Sequence, residues 1–514
     1  MVKRFLLCFS IAVFCFISLL QVMDLQPANA QESAPIAADT PSKVSAAQES
    51  NAAVAHTDAQ EHLGKMLSYW SVLPFIVILL SIAIIPLLQG EWWESHLNKG
   101  TVSVLCSLPI MAYLISFGPL GQGVIADILH DYYAFIVLLI ALFTISGGIY
   151  LEGNLKASPL VNTVFLGLGA LLASFIGTTG ASMLLIRPLL TTNQQRNRKV
   201  HIFIFFTFLV GNIGGSLLPL GDPPLFLGYL FGVPFFWTLR LWPVWLTEVG
   251  LLLTVFYIWD TWAYAKETPE ATTRDEKEKA KLKIHGVFNL NLIFGVLLSV
   301  IFLRTYHVGE YTVDLFWMQQ PVMILLTLIS VLHDANKKKA AHHGGQSLYQ
   351  SPRERNGFTF DAILEVAILF IGIFITMTPA ICLLKAHGAE SGVTHAWQFF
   401  WMSGGLSSFL DNAPTYATYF ALGQGVTKGL LASHPDIPVV LANGAPITEQ
   451  ILMAISLGSV FMGANSYIGN APNFMIKSIC EGTKVKMPSF FGYMIYSMAI
   501  LIPSFLLIMF IYLL

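Results

Sequence analysis

The stretch from Leu160 to Leu190 reads LVNTVFLGLGALLASFIGTTGASMLLIRPLL, and it decides the fold of this chain. It is longer than the roughly 20 apolar residues that cross the hydrocarbon core of a bilayer. At 176–180 the sequence IGTTG interrupts the large apolar side chains with glycine and threonine. A long apolar run that is broken near its middle predicts two helical arms joined by a tip.

Three segments rich in Lys and Arg indicate which side of the membrane this stretch faces. They are 196–199, 266–283 and 337–355, and such segments collect on the cytoplasmic side of a membrane. All three lie on that side only if the stretch 160–190 enters and leaves the membrane there. A simple crossing would put 196–199 outside and would invert every later loop. The pattern therefore predicts a re-entrant hairpin that opens from the cytoplasm.

The composition of the whole chain is that of a membrane protein. Of its 514 residues, 55% are hydrophobic and 11% are charged, and the mean hydropathy is +0.65. A soluble domain carries about 25% charged residues, more than twice this share. The net charge of −2 argues against a nucleic-acid partner, and the five scattered cysteines form no CxxC pair. Neither a disulfide framework nor a zinc site is indicated.

The N-terminus has the pattern of a secretory signal peptide over residues 1–30. Lys3 and Arg4 precede the apolar run 5–20, and Ala28-Asn29-Ala30 has the small residues of a cleavage site. An uncleaved first helix is the alternative. The polar segment 31–62 has no apolar period and is predicted to be disordered. A cleaved signal places this tail outside the cytoplasm of a bacterium and the protein in the inner membrane.

The remaining apolar runs predict an all-α polytopic membrane protein of two inverted repeats. Repeat one is 63–265, repeat two is 284–514, and a cytoplasmic linker at 266–283 joins them. Each repeat is predicted to have five spanning helices and one re-entrant hairpin, with broken helices at the membrane midplane. An odd number of crossings per repeat inverts the second copy relative to the first. The predicted runs are 67–89, 101–117, 132–151, 160–190, 200–231 and 237–259, then 284–304, 315–332, 360–384, 397–422, 450–476 and 490–514.

Two pairs of motifs support the repeat. SFIGTTG at 174–180 aligns with SFLDNAP at 408–414, and LGDPPLF at 220–226 aligns with IGNAPNF at 468–474. The identities are few, but both matches occur in the same order and at the same place in each half. An internal duplication therefore accounts for both.

The four breaks carry the polar side chains that are candidates for ion binding. A broken membrane helix frees backbone groups that protein, water or a ligand must satisfy. Carboxylates at membrane depth are costly and are functional candidates by default, although Asp222 and Asp411 also fit as helix caps. All these groups are hard oxygen donors suited to Na⁺ or H⁺. The candidate ion-binding residues are Thr178, Thr179, Asn212, Asp222, Asp411, Asn412, Thr415, Asn465, Ser466, Asn470 and Asn473.

Other polar residues have two interpretations each. Glu248 and Glu365 are possible proton relays, and structural pairing is the alternative for both. Arg187 fits an anion contact or a side chain that reaches the cytoplasmic surface. Ser174, Ser182, Ser216 and Ser408 fit either a site role or close helix packing. No P-loop and no metal-ligating motif occurs in the sequence, so no cofactor is expected beyond transported Na⁺ and H⁺.

Four motifs now allow a family resemblance to be stated. IGTTGASMLLIRPLL at 176–190, GNIGGSLLPLGDPPLFLG at 211–228, LDNAPTY at 410–416 and GANSYIGNAPNFM at 463–475 resemble the ion transporter superfamily. The resemblance covers 67–514 and is nearest to the NhaD-like sodium/proton antiporter and citrate transporter branch. It implies a homodimer with a scaffold domain and a mobile transport domain, whose hairpin tips and broken helices form the site.

The family's signatures fall on particular residues of this chain. Its Asp-Asn-x-Pro signature falls on Asp411, Asn412 and Pro414, and its Thr-rich first tip on Thr178 and Thr179. Its Gly-Asn-x-Pro-Asn break falls on GNAPN at 469–473. NhaD-like proteins have Asp-Asn at the first tip too, where this chain has Gly177-Thr178. Neither tip has the Ser-Asn-Thr of the dicarboxylate branch.

Two functions follow as alternatives. The first is sodium/proton antiport by alternating access, in which Asp222 and Asp411 bind Na⁺ and H⁺ in turn. The second is Na⁺- or H⁺-coupled transport of citrate or another organic anion. Two central carboxylates would repel citrate, so the residues favour antiport. A membrane-embedded enzyme or a receptor is a third class, but the sequence has no nucleophile or metal constellation to support it. The expected partners are the lipid bilayer and a small ion or anion.

Overall fold

The fold is described from a computed structural model. It covers residues 58–268, 280–308, 311–343, 350–442 and 444–514. The predicted signal peptide at 1–30 and the predicted tail as far as residue 57 lie outside these ranges, as does most of the linker 266–283. Residues 58–66 are helical and pack against the rest of the protein, because Leu63 is fully buried.

After the helical segment 58–66, the described residues of the first half form nine further helices. Helix α4 begins at Pro119, whereas the sequence predicts a start at 132, because polar residues at its beginning lower the apolar character of the window. The helices are α1 (Leu73–Leu88), α2 (Gly90–Trp93), α3 (His96–Ile115), α4 (Pro119–Gly147), α5 (Pro159–Ile176), α6 (Thr178–Thr192), α7 (Val200–Leu209), α8 (Pro223–Leu230) and α9 (Trp242–Tyr264).

The second half repeats much of this order. Its helices are α10 (Val287–Phe302), α11 (Gln319–His343), α12 (Pro352–Arg355), α13 (Asp361–His387), α14 (Ala396–Ser407), α15 (Asn412–Ser433), α16 (Glu449–Met462), α17 (Ala471–Gly482) and α18 (Phe490–Tyr512). Short 3₁₀ turns lie between them at Tyr69–Val72, Ile213–Leu217, Phe235–Leu241, Phe316–Met318, Gly388–Glu390 and Gly463–Asn465.

Within the described ranges, three antiparallel strand pairs join the ends of helices, and the sequence does not predict them. They are β1 (Tyr150–Asn154) with β2 (Ala280–His285), β3 (Thr305–Val308) with β4 (Tyr311–Asp314), and β5 (Val439–Ala442) with β6 (Ala445–Thr448). The first pair brings the segment after α4 to the end of the linker. Glu152 on β1 contacts His285 at 2.7 Å and Arg355 at 2.9 Å. Parts of two of the basic segments therefore meet here.

The breaks lie where the sequence predicts them. Helices α5 and α6 pack against each other and are separated only by Gly177, whose φ of +79° favours glycine. Helices α14 and α15 also pack together and are separated by residues 408–411. The run 200–231 is broken between α7 and α8, and the run 450–476 between α16 and α17. We name the pairs α5–α6 and α14–α15 hairpin one and hairpin two, and the intervals 210–222 and 463–470 break one and break two.

Local sequence explains where several helices begin. The Ser158 hydroxyl accepts a hydrogen bond from the Val161 amide at the start of α5, and Pro159 occupies the first turn. Thr448 caps α16 and Ser489 caps α18 in the same manner. Asp222 and Asn470 are the N-caps of α8 and α17, and Pro223 and Pro472 lie in the first turns of these helices. The proline backbone nitrogen has no N–H that would need an acceptor in the first turn, and its fixed φ suits the start of a helix.

Nine helices among the described residues are long and apolar enough to cross a membrane, and Val287–Phe302 is a shorter apolar helix. Their outward side chains are apolar: Leu105 is 69% exposed and Phe510 is 65% exposed. Inward side chains form one large core, in which α7 and α16 are almost fully buried. The two broken runs thus pass through the protein interior, and the helices around them carry the lipid-facing surface.

Candidate functional site

Asp222 is the point where both hairpins and both breaks converge. Its side chain is buried, and its carboxylate accepts three hydrogen bonds from other segments. The Thr178 hydroxyl and the Asn470 amide donate to Oδ1 at 2.9 and 3.1 Å. The Asn412 amide donates to Oδ2 at 2.5 Å. No basic side chain contacts this carboxylate within the described part of the chain, so its charge is met only by neutral donors.

The tip of hairpin one is fixed to break one by its backbone as well. The Thr178 amide donates to the Gly221 carbonyl at 2.8 Å, directly before Asp222. Gly177 allows this approach, because its left-handed backbone turns α5 into α6 at the tip. Thr179 is half-buried, and the structure gives it no side-chain bond to the Asp222 cluster. The first hairpin therefore contributes one of its two predicted threonines to this carboxylate.

Hairpin two contributes Asn412 to the cluster and uses Asp411 differently. Asp411 caps α15, because its Oδ1 accepts the Ala413 amide at 3.0 Å. The Thr415 hydroxyl donates to the Asp411 backbone carbonyl at 3.0 Å. Asp411 is half-buried and is not bonded to Asp222. The two predicted carboxylates are thus not equivalent, since one receives donors from three other segments and the other caps its own helix.

A second group of amides links the two breaks to each other. The Asn212 amide donates to Asn473 Oδ1 at 2.7 Å and to the Thr207 carbonyl at 2.8 Å. The Asn473 amide donates to the carbonyls of Gly463 and Ser466 at 2.9 and 2.8 Å. Asn473 thereby satisfies backbone groups that the interruption of the helix frees, and it joins the two halves of the chain.

Ser466 and Asn465 fasten break two to hairpin two. The Ser466 hydroxyl donates to the Ser408 carbonyl at 2.5 Å and accepts the Gly469 amide at 3.2 Å. The Asn465 amide donates to the Ser408 hydroxyl at 2.9 Å. Both side chains are buried. They hold the broken backbone in place beside the cluster without contacting Asp222 directly.

Three buried amide oxygens in this region have no hydrogen-bond donor. They belong to Asn212, Asn412 and Asn465, and all three residues are at most 3% exposed. Buried acceptors without a donor are rare, and each calls for a water or an ion. Amide and carboxylate oxygens are ligands of hard cations. The arrangement offers neutral oxygens and one carboxylate to a small cation, and no group of three His, Cys, Asp or Glu residues suited to a bound metal occurs among the described residues.

The two breaks are built alike at matching positions. A Cβ added to Gly221 would lie 2.0 Å from the Gly215 carbonyl oxygen, and one added to Gly469 would lie 2.5 Å from that of Gly463. The alignment that matches Asp222 with Asn470 also matches the first pair of glycines with the second pair. In each break the backbone contacts itself closely where only glycine fits.

The two relay candidates lie away from the cluster. Glu248 is fully buried on α9; Ser504 on α18 donates to its Oε1 at 2.6 Å, and its Oε2 has no donor. Glu365 on α13 pairs with Lys99 on α3 at 2.7 Å. Glu365 therefore makes a structural pairing in this conformation, and Glu248 has one oxygen available to a proton or a water.

Arg187 is engaged by backbone. Its Nη2 and Nε donate to the Asn356 carbonyl at 2.8 and 3.2 Å. A Cβ at Gly357 would lie 2.9 Å from Nη2, so the guanidinium also needs a glycine beside it. The side chain joins the second arm of hairpin one to the segment before α13, and it is not directed at Asp222.

Two residues of α18 that the sequence analysis did not single out also support break two. The Ser497 hydroxyl donates to the Asn465 carbonyl at 2.6 Å, and the Tyr493 hydroxyl donates to the Ala464 carbonyl at 2.9 Å. They are four residues apart and therefore lie on one face of α18. Two hydroxyl groups on one face of an apolar span are the signal that would have found them.

Comparison with known proteins matches the chain to a family model. The model of the family described as "putative citrate transport" matches residues 64–513. No curated protein matches the chain. The match covers both hairpins, both breaks and every residue of the Asp222 cluster.

Proposed function

The chain belongs to this citrate transport family, and from that premise we propose that it is a secondary transporter that exchanges Na⁺ for H⁺ at Asp222. Family membership and the helical membrane fold together point to a multi-pass membrane transporter rather than an enzyme. Our proposal concerns the cargo and the residues that carry it. The observation behind it is the convergence of four interrupted segments on one buried carboxylate.

The charge of the cluster favours a cation. Asp222 is the only charged member of the group it forms with Thr178, Asn412 and Asn470, and the other three donate to it through neutral groups. An anion placed here would meet a negative charge with no basic side chain to offset it. A carboxylate and nearby amide oxygens suit Na⁺, and a carboxylate also binds H⁺. The two ions would compete for the same atoms.

The same proposal includes the predicted architecture. We propose that hairpins one and two are re-entrant, that they open to opposite sides, and that the halves are inverted repeats. The matching glycine contacts of the two breaks support a duplication. Access to Asp222 would then alternate between the sides as the hairpin contacts rearrange. The bacterial inner membrane and a homodimer also belong to this proposal.

Coupled transport of citrate is the second candidate, and the description of the family favours it. In that case Na⁺ or H⁺ at Asp222 would neutralise the carboxylate before the anion binds. Citrate would then contact the donors at the tips of the hairpins. Arg187, the basic residue that the sequence offers for such a contact, is occupied by the Asn356 carbonyl.

Reconstituted vesicles distinguish the two candidates. Purified protein is placed in vesicles that contain a pH-sensitive dye, and Na⁺, Li⁺, K⁺ and labelled citrate are added in separate experiments. We expect Na⁺ to drive proton movement without citrate, and Asp222→Asn to abolish it. Asn98→Ala is the matched control, since Asn98 is half-buried away from the Asp222 cluster and its side chain bonds only to the Trp92 backbone carbonyl.

The two candidate functions predict different results in the vesicle experiment. Citrate uptake that requires Na⁺ or H⁺, together with no Na⁺/H⁺ exchange when citrate is absent, would establish the second candidate. Proton movement that persists at the normal rate in folded Asp222→Asn would overturn the assignment of Asp222.

A further inference from the structure

We propose that Ser174, on the first arm of hairpin one, and Ser408, directly after the first arm of hairpin two, are positioning residues of the ion site. Each connects its hairpin to the adjacent break. This inference rests on the proposed role of the Asp222 cluster, but its main test does not depend on the cargo. Neither serine contacts Asp222. Each would act through the backbone that leads to Asp222 or to Asn470.

The Ser174 hydroxyl both donates and accepts a hydrogen bond with backbone groups of break one. Its hydroxyl donates to the Gly214 carbonyl at 2.5 Å and accepts the Leu217 amide at 3.2 Å. Gly214 and Leu217 lie within one short 3₁₀ turn, so a single fully buried side chain holds both of its ends. A freed carbonyl and a freed amide are thereby satisfied by the neighbouring hairpin and not by water.

Ser408 makes the matching contacts in the second half. Its hydroxyl lies 3.2 Å from the Met462 carbonyl and 2.8 Å from that of Gly404, and it accepts the Asn465 amide at 2.9 Å. Met462 and Asn465 correspond to Gly214 and Leu217 by the shift that aligns Asn470 with Asp222. The donor to the serine is the Leu217 backbone amide in the first half and the Asn465 side-chain amide in the second half. In both halves the serine connects the hairpin to the break.

The close approach of arm and break also recurs. A Cβ at Gly214 would lie 2.5 Å from the Ala170 carbonyl oxygen, and one at Gly404 would lie 2.1 Å from the Met462 sulfur. Residue 170 corresponds to residue 404, and residue 214 to residue 462. Each half therefore has a glycine at this crossing, on the break in the first half and on the hairpin arm in the second. A serine that bonds across the crossing is present in both.

The path from Ser174 to the site is short. Break one continues from Leu217 to Gly221, whose amide donates to the Leu218 carbonyl at 2.9 Å, and Gly221 accepts the Thr178 amide at 2.8 Å. Thr178 and the residue after Gly221, Asp222, are hydrogen-bonded members of the cluster. If the turn at 213–217 loosens, the backbone that aims the carboxylate loosens with it. A hydroxyl that only fills space would have no such effect.

Hydrogen exchange of the purified protein tests this directly. Ser174→Ala is compared with wild type and with Ser182→Ala, a matched control whose serine is also fully buried but whose hydroxyl has no partner. We expect exchange in 213–217 and at Thr178 to rise roughly tenfold in Ser174→Ala, as for loss of one buried hydrogen bond, and to stay at wild-type rates in the control. Unchanged exchange at Thr178 would overturn the proposal, whatever the protein transports.

Ser408 is tested by a double-mutant cycle in vesicles, using whichever cargo the wild type carries. Ser408→Ala should weaken the apparent affinity for that cargo roughly tenfold and change the maximal rate by less than about twofold. Ser403→Ala is the control on α14, the helix that ends directly before Ser408, because the Ser403 hydroxyl donates only to the Phe400 carbonyl of that helix. Added to Asn465→Ala, Ser408→Ala should have little further effect.

Fully additive effects of Ser408→Ala and Asn465→Ala would contradict the proposal. Absence of Na⁺/H⁺ antiport in wild type would instead overturn the proposed cargo. The amide hydrogen-exchange experiment on Ser174 would then decide this inference.

Discussion

Asp222 and Asn470 begin the second half-helix of the two breaks with nearly the same backbone conformation, and the Asn470 amide donates to the Asp222 carboxylate across 3.1 Å. Their φ and ψ angles are −144° and 142° in one case and −152° and 142° in the other. Matching positions of the two halves thus meet at the centre of the molecule. One carries a charge and the other a donor that faces it.

Removal of this donor should weaken the site without unfolding the protein. Asn470→Ala leaves Asp222 with the Thr178 and Asn412 donors and removes a hydrogen bond to a charged group, worth about 1.5–3 kcal/mol. We expect the apparent affinity for the transported cation to fall by roughly 10- to 100-fold in vesicles. An affinity within about twofold of wild type would show that Asn470 does not shape the site.

The sequence predicts that Asp411 binds the transported ion in addition to capping α15, and Asp411→Asn should then abolish exchange while the protein stays folded. Asn and Asp are nearly equal as helix N-caps, so α15 keeps its cap when only the charge is removed. The measurement is Na⁺-dependent pH recovery in vesicles, with size-exclusion chromatography to verify folding. Asp411→Ala is the companion variant, since it removes both charge and cap. Robust pH recovery in Asp411→Asn would restrict the role of Asp411 to capping.

Gly221→Ala should destabilise the fold, because the added Cβ would lie 2.0 Å from the Gly215 carbonyl oxygen. Such overpacking costs about 1–3 kcal/mol when the backbone shifts to relieve it. We expect a lower midpoint in a thermal melt of the detergent-solubilised protein. Gly405→Ala is the matched control, because a Cβ there meets no atom within 4 Å. Equal melting of the two variants would contradict the close contact in break one.

The helical residues 58–66 should detach at low pH. Glu61 pairs with Lys428 on α15 and with Lys65 at 3.3 Å, and Lys385 on α13 donates to Gln60 at 2.8 Å. Burial opposes ionisation of Glu61, but the two ammonium groups outweigh it and hold its pKa below the usual value. The stabilisation from the Glu61 ion pairs is therefore complete above a pH of about 4.3 and is lost as the pH falls through the lowered pKa.

Hydrogen exchange of 58–66, corrected for intrinsic rates, measures this transition. Protection should be level from neutral pH to about pH 5 and should fall below about pH 4. Glu61→Gln should have reduced protection that no longer depends on pH in this range. Lys65→Gln should keep most of the wild-type protection, because the Glu61–Lys428 contact remains. Protection in Glu61→Gln equal to wild type would contradict the tie.

The positions of the breaks could be predicted from sequence, because glycine, proline and aspartate interrupt apolar runs through local chemistry. Gly177 at the first tip and Asp222 before two prolines are such cases. The start of α4 could not be predicted, since its first turns alternate buried Val124 and Ile125 with exposed Gln122, and the mean hydropathy of a window does not show that one face is buried. The short strand pairs also depend on how helix ends meet.

The membership of the cluster could be predicted only in part. Asn412 and Asp222 are 190 residues apart, and nothing in their local sequence states that one bonds to the other. Thr178, Asn412 and Asn470 were among the candidates because all lie at breaks. Thr179 and Asp411 lie at breaks too but make no bond to Asp222. Position along the chain identifies the neighbourhood, and only packing selects the side chains that face the carboxylate.

No basic side chain contacts Asp222 among the residues that the structure describes, and this has a kinetic consequence under the proposed function. A buried carboxylate that has lost its ion is an uncompensated charge, which is costly to hold or to move at membrane depth. The empty form of the protein would therefore reorient slowly, and the forms loaded with Na⁺ or H⁺ would reorient fast. Flux would then require an ion on each side of the membrane. A leak of either ion alone would be suppressed by electrostatics, without a separate gate.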